Sequence, residues 1–589
     1  MKKLLGLILV FPMLLLLGIP SCVSAPEPEI ADDSAIISTH EDRDQPDGAP
    51  APKPDSEPAP ARDPEPAFAT VETAGIFAPR NDLSAINLPE PSTDYFPKWR
   101  GFNKLNLYDS DSVNEWYDHN GFPIWESDFA LMHDLGFNFL RFPMDYRYFY
   151  NKENKEFDMS KIAWIDDAIE YGIKYNIHIE LNLHRAPGYR VADWSVNFDT
   201  FVAESEHFIE IWTFLAKRYQ NIPNAVLDFN LLNEPSADHF IDYTGFRLQP
   251  EYARILNETI NAIRAYTPDR LIVLDADHRN PYDLSSLQVD SLDNIWQSQH
   301  GYAPFTVTHH GLDPSAEHPP GFENPQITWP IENYFNGFLY ANWKSTRMFG
   351  AQNTKAVFNH PGGFGAGEVK VEVVSQSSWE LDGVEQNTQI LRIRAYDENG
   401  VQTATDTAAV PHGSGMHIVG FAENIAEGAK KIEIYLSGGD WAVINSYQLG
   451  DVIIKCTNAD WGYPPSEMTA GENTVTGADT IRDWYIPEAW ENVPVMFGEV
   501  GCMAQHENPY QTAYRARLMA DYADAFMDHP WAYWEFKGGN MSMFRLGSSG
   551  AHTAEYTVNY GAGNTCTYWV DALWYNAIKH TLENPYNGF

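Results

Sequence analysis

The sequence predicts an α/β protein, a (β/α)8 TIM barrel with a β-sandwich inserted between strands 6 and 7. Three observations predict it. Eight short apolar runs alternate with amphipathic stretches, the pattern of buried parallel strands and the helices that cover them. The gap between the sixth and seventh runs is roughly 190 residues, where about 30 to 50 complete one strand–helix unit. Two of the runs end in glutamate motifs, Leu232-Asn233-Glu234-Pro235 and Phe497-Gly498-Glu499-Val500-Gly501. A barrel of parallel strands carries its chemistry at the strand C-termini.

The elements follow in order. Met1-Lys2-Lys3 precedes an apolar stretch, Leu4 to Gly18, that is short for a membrane span, and Ile19-Pro20-Ser21-Cys22 comes next. Residues 1–22 read as an export signal with a bacterial lipobox, in which Cys22 would be acylated. Cleavage after Ala25, giving a freely secreted protein, is the competing reading. Residues 23–75 are rich in Pro, Ala, Asp and Glu. Such a segment cannot bury enough apolar area to fold and reads as an extended acidic tether. The first part of the barrel is expected over 76–337. Strands are expected at Arg100–Asn103, Phe137–Pro143, Ile177–His184, Ala225–Glu234, Leu271–Asp277 and Ile295–Tyr302.

Residues 338–456 change pattern. Val369–Val373, Leu391–Tyr396 and Lys431–Tyr435 alternate apolar and polar, and Asn399-Gly400 is a hairpin-type turn. These signals read as the inserted sandwich, an accessory module that either binds carbohydrate through Trp379 and Trp441 or braces the barrel. The barrel resumes over 457–589, with strands at Pro494–Glu499 and Ala532–Phe536 and a closing helix near Val570 to Leu582. Ile162, Ile165, Ile169 and Ile173, and later Tyr514, Leu518, Tyr522 and Phe526, recur at helical spacing.

Composition limits the function. At 589 residues the chain exceeds one ordinary domain, and its net charge of −42, from 81 acidic and 39 basic residues, repels phosphates and argues against a nucleic-acid partner. The 18 Trp suit both a large core and stacking on sugar rings. Of the four Cys, three remain if Cys22 is lipidated: Cys456, Cys502 and Cys566. They have no CxxC spacing, so neither a zinc site nor a disulfide framework is expected, and any single disulfide stays unassigned. No metal-ligand spacing, phosphate loop or Ser-His-Asp arrangement stands out, so no cofactor and no metal are expected.

Beside the two glutamates stand Trp99-Arg100-Gly101-Phe102-Asn103, Gly136-Phe137-Asn138-Phe139-Leu140-Arg141-Phe142-Pro143, Leu181-Asn182-Leu183-His184-Arg185-Ala186-Pro187-Gly188, Gln299-His300-Gly301-Tyr302 and Tyr533-Trp534-Glu535. In this order the motifs resemble glycoside hydrolase family 5, the cellulase family of the retaining (β/α)8 clan. The resemblance covers about residues 97–340 and 457–589. It implies endo-acting hydrolysis of a β-linked glucan or mannan, with Glu234 as acid/base and Glu499 as nucleophile. It further implies Arg141 and Tyr302 on Glu499, Asn233 on the sugar 2-hydroxyl, His184 and His300 lining the cleaved subsite, and Trp534 beneath the sugar.

A β-1,4-glucan leads as substrate. β-mannan, xyloglucan and mixed-linkage glucan remain open within the class, and a non-catalytic glycan-binding lipoprotein stands outside it. Trp296, Tyr189, His309 and His310 are weaker candidates for neighbouring subsites, and His278 is left unassigned. The expected partners are a polysaccharide and, through the lipid anchor, a membrane surface. A monomer is expected, exported to the cell surface or medium of a bacterium.

Overall fold

The computed structural model describes residues 66–112, 120–191, 198–235, 240–242, 247–275, 289–302, 308, 329, 344–349, 355–376, 380–381, 384–385, 388–412, 416–455, 458–462, 468–469, 477–486, 494–502, 509–537, 541–546 and 552–589. The lipobox, residues 23–65 of the tether, His278, His309, His310, Trp379 and Cys456 lie outside them.

Eight parallel strands close a barrel: β1 (Arg100–Asn103), β2 (Phe139–Asp145), β3 (His178–Ala186), β4 (Leu227–Asn230), β5 (Ile272–Asp275), β6 (Ile295–Gly301), β7 (Val495–Val500) and β8 (Trp531–Tyr533). Each pairs with the next in sequence, and β8 returns to β1. All eight coincide with runs expected from sequence, because a strand buried on both faces is apolar almost without interruption. Where β1 and β2 approach, a Cβ on Gly101 would lie 1.5 Å from the Phe139 carbonyl oxygen, so only glycine fits there.

Helices cover the outside. α1 (Glu126–Asp134) follows β1, α2 (Met159–Tyr175) follows β2, α3 (Ser205–Arg218) follows β3 and α4 (Pro250–Arg264) follows β4. α5 (Ala478–Tyr485) precedes β7, α6 (Pro509–Ala525) links β7 to β8, and α7 (Ala572–Ile578) closes the chain. In α2 the Asp158 carboxylate accepts the Ser160 N–H at the N-cap, Asn176 ends the helix in the left-handed region (φ 54°), and all four periodic isoleucines are buried.

Between β6 and β7 in the chain lie two antiparallel-rich sheets. One is built on Lys344–Phe349, Val369–Gln376, His417–Gly420, Trp441–Leu449, Val452–Lys455 and Asn458–Gly462; the other on Lys355–Asn359, Ile390–Tyr396, Gln402–Ala409, Lys431–Gly438 and Met468–Thr469. They share a core of their own, with Val371, Val373 and Ile444 from one sheet and Ile393, Ile432 and Ile434 from the other. The Asn399-Gly400 turn forms as expected, Asp397 accepting the Asn399 and Val401 N–H groups. The sheets take in residues up to Thr469, past the edge at Cys456 read from sequence. Trp441 is half-buried at the start of its strand.

Three further features depart from expectation. Phe68–Ala69 pairs with Glu156–Asp158, and Ala69, Ala74 and Phe77 are buried in the barrel's main core. The fold therefore takes in part of the segment read as tether, whose Pro-rich composition hid a few anchoring apolar residues. Thr553–Gly561 and Asn564–Asp571 form a hairpin that holds Val570, so the closing helix begins only at Ala572. Trp296 is fully buried among Trp99, Phe139, Val273 and Met496, with its Nε1–H donated to the Ser92 carbonyl. It is core, not a subsite wall. Cys502 and Cys566 are both buried.

Candidate active site

The C-terminal ends of the strands bring the candidate residues together. Arg141 lies within β2, His184 within β3, His300 within β6 and Glu499 within β7; Asn233 and Glu234 follow β4, Tyr302 follows β6 and Trp534 follows β8. Inward-facing positions alternate along a strand, which is how one barrel can fill its interior with side chains from several strands.

Arg141 is the hub and is fully buried. Its Nη1–H groups reach Glu499 Oε1 at 2.8 Å and Asn103 Oδ1 at 2.9 Å; Nη2 reaches Asn233 Oδ1 at 2.8 Å and Asn230 Oδ1 at 3.0 Å. A guanidinium spreads its donors in a rigid fork, so these bonds fix the carboxylate and the amide relative to each other. Glu499 accepts a second charge-assisted bond from the Tyr302 hydroxyl at 2.8 Å on Oε2. Burial pushes the Glu499 carboxyl above its ordinary range, the neighbouring Glu234 adds to this, and His300 and Arg141 pull against it. Burial and the Glu499 charge push the Tyr302 phenol well up, so it stays a donor.

His300 joins the two glutamates. Its Nδ1 is 2.5 Å from Glu234 Oε1 and 3.5 Å from Glu499 Oε2. Burial works against a charged imidazole, yet Glu499, Glu234 and Asp275 together raise its pKa to about 10. One donor atom each from Glu234, His300 and Glu499 falls within 4.8 Å of the others, the kind of cluster that can hold a metal ion. Carboxylates around an imidazole favour its protonated form, which suits this set to proton transfer.

The backbone supports the geometry. Glu234 has φ 42°, in the left-handed region, and its N–H is held by Asp275 Oδ2 at 3.0 Å. The Tyr189 hydroxyl donates to the Glu234 carbonyl, so Tyr189 braces this turn while its ring packs on Phe201 and Phe240. A side chain at Gly498 would lie 2.5 Å from Ser298 Oγ and 3.2 Å from both Arg141 Nε and His300 Nε2. His184 and Trp534 form an aromatic wall. Their rings stack with centroids 5.6 Å apart, and Tyr108 meets them edge-on at 4.8 and 5.4 Å. Burial, with Arg141 next, keeps the His184 imidazole neutral, well below its ordinary pKa.

Sequence reasoning missed Asn103, Asn182, Asn230, Asp275 and Tyr108. The first four form the polar interior around Arg141, with Asn182 Nδ2 donating to Asn230 Oδ1 at 2.6 Å and Asn230 Nδ2 to Asp275 Oδ1 at 2.7 Å. Their signal was available: polar residues inside apolar strands need buried partners. Below them, Glu180 and Asp228 face each other across β3 and β4. Burial pushes both carboxyls well up, Asp228 adding to the effect on Glu180.

Residues 91–360 match the family model Cellulase (glycosyl hydrolase family 5). Endoglucanase C of Acetivibrio thermocellus is 31% identical over 193 residues, which cover 32% of this chain and 52% of that protein. Cellodextrinase A of Ruminococcus flavefaciens is 27% identical over 239 residues, 38% of this chain and 65% of that protein. The chain thus spans less than two thirds of the length of these relatives. A solved structure described as a glycoside hydrolase covers 82% of this chain and 99% of its own at 19% identity, with a TM-score of 0.45.

Proposed function

From the match of residues 91–360 to the cellulase model of glycosyl hydrolase family 5, we propose that the chain is a retaining, endo-acting hydrolase of β-1,4-glucan. The observation that carries the mechanism is the reach between the glutamates, one carboxylate oxygen of each lying within 4.8 Å of the other. Retention needs carboxyl groups about 5 to 5.5 Å apart, whereas inversion needs about 6.5 to 9.5 Å to admit a water. The names of the relatives, an endoglucanase and a cellodextrinase, support β-glucan over other β-glycans.

In this reading Glu499 attacks the anomeric carbon while Glu234 protonates the departing glycosidic oxygen, leaving a glycosyl ester on Glu499. A water then enters. Glu234 takes its proton, its oxygen bonds to the anomeric carbon, and Glu499 departs as carboxylate. Arg141 and Tyr302 hold the nucleophile's two oxygens. The Asn233 Nδ2 group has no hydrogen-bond partner among the described residues, and it is assigned to the sugar 2-hydroxyl, a contact that strengthens at the transition state. His184 and Trp534 are assigned to the face of the reacting sugar.

A polymer substrate fits an exported enzyme, and Cys22 in its lipobox supports a lipid-anchored one acting outside the cytoplasm. No helix among the described residues is long and apolar enough to cross a membrane. The test is a panel of soluble β-glucans, mannan and xyloglucan, read by reducing ends and by proton NMR of the first product. Preference for β-1,4-glucan with the β-anomer appearing first is expected. An initial α-anomer refutes retention, and faster cleavage of mannan or xyloglucan refutes the substrate.

A further inference from the structure

Asp275 stands at the last position of β5 and is 4% exposed. Each of its oxygens is engaged. Oδ1 accepts Asn230 Nδ2 at 2.7 Å, and Oδ2 accepts the Glu234 backbone N–H at 3.0 Å. The same Oδ2 lies 3.4 Å from His300 Nε2 and 3.4 Å from Arg141 Nη2. Glu234 is therefore gripped twice by one carboxylate. Its main chain, in the left-handed conformation, is tied directly. Its side chain is reached less directly, through His300: Nδ1 is 2.5 Å from Glu234 Oε1, and Nε2 stands 3.4 Å from Asp275 Oδ2, an ionic contact and not a formed hydrogen bond.

Resting on the reading of Glu234 as acid/base, we propose that Asp275 is a positioning residue for that group: it sets the Glu234 turn and orients the His300 ring so that the carboxyl points at the glycosidic oxygen. Two physical points support this over a purely structural role. A non-glycine residue at positive φ costs stability and persists only where its surroundings hold it, and the Asp275–Glu234 bond is one such hold, beside the Tyr189 hydroxyl on the Glu234 carbonyl. An imidazole between carboxylates is also oriented by the partner of its second nitrogen. The groups facing His300 are Glu234, Asp275, Glu499 and Glu180, all acidic, with His184 opposing them. Asp275 alone among the acidic groups sits on the Nε2 side within 3.4 Å.

The experiment compares two substrates in Asp275→Asn. A cello-oligosaccharide leaves as a poor leaving group and needs the acid. A 2,4-dinitrophenyl β-glycoside of the same sugar leaves without protonation. General acid–base assistance contributes typically 10²–10⁴-fold, so kcat/KM on the oligosaccharide should fall about 100-fold while the dinitrophenyl substrate loses less than about tenfold. Azide, which attacks the glycosyl-enzyme without a base, should raise kcat of the variant on the dinitrophenyl substrate and leave wild type unchanged. Equal losses on both substrates, or none, overturn the proposal. Should Asp275→Asn not fold, Asp275→Ser, which keeps a small acceptor, is read in the same way. Wild type that cleaves neither substrate would instead sink the family reading, and a Glu234→Gln variant with the same substrate split expected of Asp275→Asn confirms that the assay reports the acid.

Discussion

Replacing Tyr302 with Phe removes the hydroxyl that donates to Glu499. The ring is retained, and the local main chain keeps its tie from the Thr308 hydroxyl to the Tyr302 carbonyl at 2.7 Å. What is lost is the O–H donated to Glu499 Oε2 at 2.8 Å. A hydrogen bond to a charged group contributes about 1.5–3 kcal/mol, and 1.36 kcal/mol corresponds to one pKa unit. The phenol stabilises the ionised carboxylate, so its loss disfavours ionisation and raises the Glu499 pKa, by about one to two units. Glu499 keeps Arg141 at 2.8 Å and His300 at 3.5 Å, which favours the lower end of that range. A nucleophile must be ionised, so the acid limb of kcat/KM should move to higher pH by about one unit. On that limb Tyr302→Phe should be about tenfold slower than wild type, and the gap should close towards the plateau. The assay is a pH series of initial rates on a soluble β-glucan oligosaccharide. An unmoved limb, or the same fractional loss at every pH, would refute the assignment of Tyr302 as a donor that keeps Glu499 ionised.

Two other outcomes are expected. Glu234→Gln and Glu499→Gln should each lower kcat by at least about 10³-fold without lowering Tm, and azide should restore part of the activity of Glu499→Ala by filling the vacated nucleophile position; near-normal turnover in either Gln variant removes that residue from the chemistry. Phe77→Ala should destabilise by about 3 kcal/mol, since Phe77 packs edge-on against Tyr219 at 5.6 Å and its N–H is bonded to the Arg218 carbonyl at 2.8 Å. Thermal melting would show it, and an unchanged Tm would refute Phe77 as an anchor of the barrel core.

The barrel was legible in the sequence because its strands are apolar on both faces, so that Phe139–Met144 or Ile272–Leu274 announce themselves without knowledge of neighbours. The glutamates and the aromatic and imidazole groups around them were legible through motif order. The supporting polar network was not. Asn230 and Asp275 sit in strands that are read as simple apolar runs, and their meaning depends on register: Asn230 matters because β3, β4 and β5 align it with Asn182 and Val273. The hairpin ending at Asp571 was misread because exposed alternation beside Tyr568 and Val570 resembles the flank of a helix until the pairing partner is known. Phe68 to Ala74 escaped because composition averages over a window, whereas burial is decided residue by residue.

The two sheets spliced between β6 and β7 bear on how the barrel comes together in time. Gln297 of β6 pairs with Val495 of β7 across nearly the whole insertion, a contact whose closure would be entropically expensive for a floppy chain of that length. The insertion does not behave as such a chain. Its first strand, Lys344–Phe349, runs alongside and parallel to Asn458–Gly462, and Lys355–Asn359 does the same with Met468–Thr469. Its incoming and outgoing segments are therefore neighbours once it folds. A module that ties its own two ends together shortens the effective loop that β6 and β7 must close. Its hairpins are local, whereas the barrel's closing pairs are distant, so contact order favours early folding of the insertion. Refolding should then show two phases, and weakening the insertion's core at Ile434 should slow the second.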